Sequence, residues 1–201
     1  MSLGGGREGR APIPRIYVRI PPERLGAIIG QEGSVKREVM EKTGTLITVD
    51  TENSLVIIEP EVPGVPPLNL MKAQEIIKAI AYGFPPDKAF RLLDDEQILV
   101  IVDLKQIVGD SPNHLKRVKA RIIGERGRAR RTLEELTGTY IHVGDNYVAI
   151  IGDYERAMAA KKAVEMLAEG RMHSTVYKHL DRILREIRRR EHLKYWARDE
   201  L

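Results

Sequence analysis

Ile28-Ile29-Gly30-Gln31-Glu32-Gly33 and Ile122-Ile123-Gly124-Glu125-Arg126-Gly127 are one six-residue pattern met twice in the same chain, 94 positions apart. The agreement continues outward: Arg37 falls on Arg131, Glu41 on Glu135, Thr43-Gly44-Thr45 on Thr137-Gly138-Thr139, and Ile47 and Val49 on Ile141 and Val143. Eleven of twenty-two ungapped positions are identical. A match of this length means that one supersecondary unit is used twice, and 201 residues suffice for two small cores.

Period and punctuation give each unit its elements. In the first, residues 16–20 alternate Ile, Val and Ile with Tyr and Arg, as a half-buried strand does. Pro21-Pro22-Glu23 suits the first turn of a helix, where missing proline amides cost nothing. Leu25, Ile28 and Ile29 give that helix an apolar face, and Gly30 stops it. A second helix over 33–42 uses Val35 and Val39 and ends at Gly44, a left-handed cap position. The β-rich runs 46–49 and 55–58 flank Asp50-Thr51-Glu52-Asn53-Ser54 as a hairpin. A closing helix over 70–82 buries Ala73, Ile76, Ile77 and Ile80.

The second unit repeats the order β-α-α-β-β-α. It has a strand over 98–104, a helix through Leu115, Val118 and Ile122, and a helix through Ala129, Leu133 and Leu136. Hairpin strands follow over 140–143 and 147–151, then a helix through Ala157, Ala160, Val164 and Leu167, with Asp153 as N-cap and Gly170 beyond its end. Residues 105–113 are an insertion forming an extra turn. The expected division is a flexible tail over 1–14, a first domain over 15–83, a connecting helix over 84–96, a second domain over 97–170 and a basic helix over 171–201. In that last helix Val176, Leu180, Ile183, Leu184 and Ile187 alternate with Lys178, Arg182, Arg185, Arg188, Arg189 and Arg190. Its apolar stripe is expected to dock on the chain's own domains, with RNA or a protein partner as the other use of the basic face. Tyr195 and Trp196 are expected to cap a core.

Composition narrows the chemistry. With no cysteine there is no disulfide, thiolate metal site or thiol nucleophile, and the balance points to a reducing, intracellular, cytoplasmic setting. No apolar run reaches the roughly 18 residues of a membrane span, and residues 1–9 lack the apolar core of a signal peptide. The five histidines show no metal-ligand spacing, since His173 and His179 are six apart and do not share a helix face. Neither a Gly-x-x-x-x-Gly-Lys nor a Gly-x-Ser-x-Gly motif occurs. Asp94-Asp95-Glu96 and Glu134-Glu135 read as solvated helix ends or faces. No catalytic residue, metal or cofactor is expected.

The glycine loop itself can hold a phosphate. Glycines let the main chain approach a ligand with no Cβ in the way, and the helix that follows offers free amides at the positive end of its dipole. The preceding helix, through Leu25, Ile28 and Ile29 or Leu115, Val118, Ile122 and Ile123, would floor an apolar groove, with the hairpin as the far wall. The two loops differ in charge. Across 116–131, Lys116, Arg117, Lys119, Arg121, Arg126, Arg128, Arg130 and Arg131 stand against Glu125 alone. In the first, Gln31 and Glu32 occupy the loop, and Lys36 and Arg37 only partly offset the carboxylate. Residues 1–95 carry twelve basic against thirteen acidic side chains, which leaves a net +5 for the remainder. A polyanion would therefore favour the second copy.

A Gly-x-x-Gly loop between two helices, repeated with Thr-Gly-Thr at the same distance, resembles the clamp of KH modules, which hold about four nucleotides of single-stranded RNA. Nearly the whole chain resembles the archaeal two-KH ribosome-assembly factors. The resemblance implies an α+β fold of two tandem type I KH domains, each a three-stranded antiparallel sheet with helices on one face, plus a C-terminal amphipathic helix. It implies binding to single-stranded pre-ribosomal RNA near the 3′ end of the small-subunit rRNA, with a PIN-domain endonuclease and the alpha subunit of initiation factor two as partners. It places RNA contact at Gly124, Glu125, Arg126 and Gly127, supported by Arg128, Arg130 and Arg131, and more weakly at Gly30 to Gly33. Two other readings compete: an adaptor that recruits a nuclease or assembly factor without binding RNA, and a binder of single-stranded DNA.

Overall fold

The computed structural model describes residues 14–198, with side chains to residue 193. The tail over 1–13 and the side chains of Tyr195 and Trp196 lie outside the described residues. The chain divides into two compact units, 1–74 and 75–201.

The first copy runs β1 (Ile16–Arg19), α1 (Pro22–Ile29), a 3₁₀ turn (Gln31–Gly33), α2 (Ser34–Thr43), β2 (Thr45–Asp50), β3 (Leu55–Pro60) and α3 (Pro67–Ala81). The unit boundary falls inside α3. The sheet order is β1-β3-β2, antiparallel throughout, with Ile58 opposite both Ile16 and Ile47. Period-two alternation buries Val18, Ile47, Val56 and Ile58 and leaves Tyr17, Leu46 and Thr48 exposed. β2 is thus an edge strand.

The second copy lies wholly in the second unit. α4 (Pro86–Ala89) continues as a 3₁₀ turn (Phe90–Leu93). After it come β4 (Gln97–Asp103), α5 (Leu104–Val108), α6 (Pro112–Ile123), a 3₁₀ turn (Glu125–Gly127), α7 (Arg128–Thr137), β5 (Tyr140–Val143), β6 (Tyr147–Asp153), α8 (Tyr154–Ala168) and α9 (His173–Arg198). Its sheet has the same order, β4-β6-β5, again antiparallel. The inserted turn is α5, which begins one residue before the expected insertion because the Asp103 carboxylate caps it by accepting from the Lys105 amide at 2.8 Å. Asp153 caps α8 as expected, accepting from the Arg156 amide.

The repeated Thr-Gly-Thr ties the clamp helix to the edge strand. Thr43 and Thr137 each donate to a carbonyl one turn back, Val39 or Leu133, at 2.6 Å. Each also hydrogen bonds the hydroxyl of Thr45 or Thr139 at 2.8 Å. All four threonines are buried, and the glycine between each pair sits in the left-handed region. The stripe of α9 does dock on its own domain: Val176, Leu180, Leu184 and Ile187 are buried in one core with Ile122, Leu133, Ile141, Ile150 and Leu167.

Candidate nucleic-acid interface

The two clamps share one backbone. Gly30 and Gly124 have φ, ψ of 74°, 176° and 72°, 177°; Gly33 and Gly127 have 78°, 15° and 76°, 12°. Between them Glu32 and Arg126 adopt left-handed φ of 51° and 50°, a region that costs a non-glycine residue about 1 kcal/mol. The first glycine is required twice over. A Cβ on Gly30 would stand 2.5 Å from Val35 Cγ2, and one on Gly124 2.6 Å from Ala129 Cβ. α2 and α7 begin directly after the loop with glycine as N-cap, no side-chain capping bond and no acidic residue in the first turn. The amides that open them, Ser34 and Arg128, donate to the Gln31 and Glu125 carbonyls, and what each loop meets is the positive end of a helix dipole. Arg128, Arg130 and Arg131 crowd the start of α7, where cations oppose the helix dipole, an arrangement that a bound phosphate would reverse.

In the first copy the clamp opens on a groove of about 350 Å³ lined by Ile29, Gly33, Lys36, Arg37, Thr48 and Val49. Ile29 lines it as expected, but Leu25 and Ile28 turn into the core. Successive residues of a helix point in different directions, and only one of the two isoleucines can face the groove. Ile122 likewise is fully buried, leaving Ile123 partly exposed beside the clamp. The first clamp carries Glu32, and the turn over 50–54 follows directly on the groove residue Val49. There the Asp50 carboxylate accepts from the Glu52 and Asn53 amides and the Asn53 side chain. Those bonds, the Asn53 side chain's foremost, hold Asp50 below the usual aspartate range.

In the second copy several cations are committed within the protein. The Arg121 guanidinium donates to the carbonyls of Gly170 and Arg171, fastening the turn between α8 and α9. His173 Nε2 donates to the Arg121 carbonyl at 2.9 Å, and the Tyr177 ring lies 6.0 Å from that of His173. The start of α9 is thereby fixed behind the clamp. Lys119 Nζ pairs with Asp145 at 3.0 Å, joining α6 to the β5–β6 turn. Lys116, Arg117, Arg126, Arg128 and Arg131 remain exposed.

Three features were not read from the sequence. Glu134, expected on a solvated face, is turned inward: its Oε1 accepts the Ile141 amide of edge strand β5 at 2.8 Å. Asp145 carries the ion pair to Lys119. Finally, Tyr82 and Phe84 pack on the sheet's outer face, Tyr82 edge-on to Tyr147 with centroids 4.8 Å apart and Phe84 against His142 at 5.9 Å, while Lys88 lies over Tyr140. The hairpin strands that carry Tyr140, His142 and Tyr147 were expected from the sequence, but nothing local named what covers those side chains.

Residues 15–79 match the KH domain model, and 98–185 match the model described as a eukaryotic-type KH domain, type I. The chain is 37% identical to a KH domain-containing protein of Methanocaldococcus jannaschii over 86% of this chain and 75% of that one. It is 31% identical to the RNA-binding protein pno1 of Drosophila pseudoobscura pseudoobscura, covering 81% and 69%, and 28% identical to the pre-rRNA-processing protein pno1 of Schizosaccharomyces pombe, covering 81% and 68%. Among solved structures, a crystal structure from Aeropyrum pernix is 73% identical with a TM-score of 0.92, covering 94% of this chain and all of that one. The complex of a/eIF2alpha, aDim2p and rRNA from Pyrococcus horikoshii contains a chain 39% identical with a TM-score of 0.80, covering 86% and 95%. Two antiparallel three-stranded sheets, each with a glycine clamp between two helices, are the build of a tandem KH protein. Within that class the chain belongs to the pno1 family of KH-domain proteins.

Proposed function

We propose that this chain binds single-stranded RNA in small-subunit pre-rRNA processing and ribosome assembly, and that its second clamp is the principal phosphate site. One observation carries this reading: the backbone clamp at Gly124 to Gly127 leads into an uncapped helix whose approach is ringed by exposed Arg126, Arg128 and Arg131. The arginines and the positive end of the α7 dipole would grip the phosphates, the glycines letting the backbone approach closely, while Ile123 and the edge strand face the bases. Lys119 and Arg121 would contribute field more than direct contact, being already engaged. The first clamp, with Gln31 and Glu32 at its tip and Lys36 and Arg37 behind, is read as the weaker RNA site.

The modules are taken as 15–83 and 97–170, with 84–96 between them and the helix over 171–201 supporting the second. RNA and initiation factor two alpha are the partners proposed, since the Pyrococcus relative is found with both. The PIN-domain endonuclease is a further proposed partner, the chain itself performing no catalytic step. The proposed setting is cytoplasmic; among the described residues no helix is long and apolar enough to cross a membrane. Crosslinking the protein to cellular RNA and mapping the sites tests this. Sites should gather near the 3′ end of the small-subunit rRNA, and an even spread over messenger RNA would defeat the assignment.

A further inference from the structure

The basic residues of α9 fall into two sets. Val176, Leu180, Leu184 and Ile187 are buried in the core of the second copy, while Lys178, Arg182, Arg185 and Arg189 stand exposed on the opposite side, four, three and four residues apart. Cations on the flanks of the helix hold it in place: Arg190 pairs with Glu155 at 3.2 Å, and Arg188 donates to the Leu184 carbonyl at 3.3 Å. The outward row is mostly unpartnered. Among the described residues Lys178 and Arg189 have neither ion pair nor side-chain hydrogen bond, and Arg182 meets only the His179 ring, at 3.1 Å. Arg185 alone holds a carboxylate, that of Asp181, and Glu186 is the other acid bordering the row. Lys178 with Arg182, and Arg185 with Arg189, are like charges one turn apart, a spacing that destabilises a helix. A polyanion laid along the row would relieve that repulsion.

We propose that this row is a second contact for RNA, tracking the backbone of the strand that runs on beyond the nucleotides held by the clamp at Gly124 to Gly127. The inference rests on the reading of that clamp as the RNA site. The placement of the helix supports it. Arg121, three residues before Gly124, donates from its guanidinium to the Gly170 and Arg171 carbonyls, and its own carbonyl accepts from His173 Nε2. α9 therefore starts beside the helix that ends in the clamp. Exposed Arg171 lies in the connecting turn, and Lys178 follows His173 by about 7–8 Å of helix rise. From Lys178 to Arg189 the row runs for about 16 Å, a length of backbone additional to the about four nucleotides of a clamp. Contacts of this kind meet phosphates, so they add affinity without reading sequence.

The test compares binding of the full chain to single-stranded RNA of about five and about fifteen nucleotides, the shorter filling the clamp alone, by fluorescence anisotropy across a salt series. The triple variant Lys178→Gln, Arg182→Gln, Arg189→Gln breaks no ion pair, so its thermal unfolding should match that of the wild type. It should bind the short RNA as the wild type does and the long one at least roughly tenfold more weakly, with a logarithmic salt slope flatter by about 2, or about 0.7 for each of about three phosphates. Arg182→Lys with Arg189→Lys keeps the charge and should bind both lengths as the wild type does. A triple variant that binds the long RNA as tightly as the wild type would overturn the track while leaving the clamp reading intact. Equal weakening for both lengths would also overturn it, since the charges would then act on the clamp as a distant field. If the Glu125→Asp, Arg126→Asp double variant binds both lengths as tightly as the wild type, the clamp reading itself fails, and the track loses its starting point.

Discussion

Gly124 and Gly127 share a left-handed φ, yet they should not be equally replaceable. At Gly124 an added Cβ meets Ala129 Cβ at 2.6 Å and its backbone nitrogen at 2.8 Å, whereas at Gly127 the nearest atom is the flexible Arg131 tip at 3.4 Å. Gly127→Ala should therefore cost about 1 kcal/mol of backbone strain, and Gly124→Ala about 3 kcal/mol, because overlap with fixed backbone adds to the same strain. Thermal unfolding of the two variants compares them, and equal losses would contradict the contact argument. The glycines were legible in the sequence because no other residue accepts these angles without penalty. The left-handed Glu32 and Arg126 between them were not, since their conformation is imposed by the turn and not by their own preference. Glu134 was misread for a related reason: one charged side chain on an amphipathic helix looks solvated until the strand beside it is in place.

The Thr-Gly-Thr corner is where helix, cap and edge strand meet, and its repetition follows from the paired buried hydroxyls. Thr137→Val should remove the bonds to the Leu133 carbonyl and to Thr139, leaving the latter's buried hydroxyl without that partner, at a cost of about 1–2 kcal/mol. An unchanged unfolding midpoint would show the pair to be dispensable. In the β2–β3 turn, Asp50 is held ionised by Asn53 and by the Glu52 amide. A carboxyl whose folded pKa is depressed stabilises above its unfolded value and loses that contribution as pH falls through the folded one. The Glu52 and Asn53 amide resonances should accordingly titrate with a midpoint below the ordinary aspartate value of ~3.9, and a midpoint at or above it would contradict the turn. Strands, helices and the inserted turn were readable from period and punctuation to within a few residues. The cover on the outer face of the second sheet was not, because Tyr82 and Phe84 find Tyr147 and His142 across some sixty residues of sequence, a separation about which local patterns say nothing.

Taken as a whole, the chain uses one fold twice under two charge regimes. The division was visible in the sequence as eight cations around the second loop; the structure refines it by committing Lys119 and Arg121 to internal bonds and leaving Arg126, Arg128 and Arg131 exposed at the start of α7. α9 belongs to that same half, since His173 bonds the Arg121 carbonyl on α6 and the apolar stripe of α9 shares the core of the second copy. The most direct measurement is single-stranded RNA binding across a salt series for the wild type and two double variants. One is Glu125→Asp with Arg126→Asp; the other is Gln31→Asp with Glu32→Asp. Aspartate tolerates the left-handed angle at the second position of each loop, so the comparison reads charge more than backbone. The second-clamp variant should bind at least roughly tenfold more weakly, with a logarithmic salt slope flatter by about 0.7 for each phosphate that it no longer neutralises, while the first-clamp variant is weakened clearly less. Equal weakening would contradict the dominance of the second clamp, and undiminished binding by both variants would contradict the clamps as the RNA site.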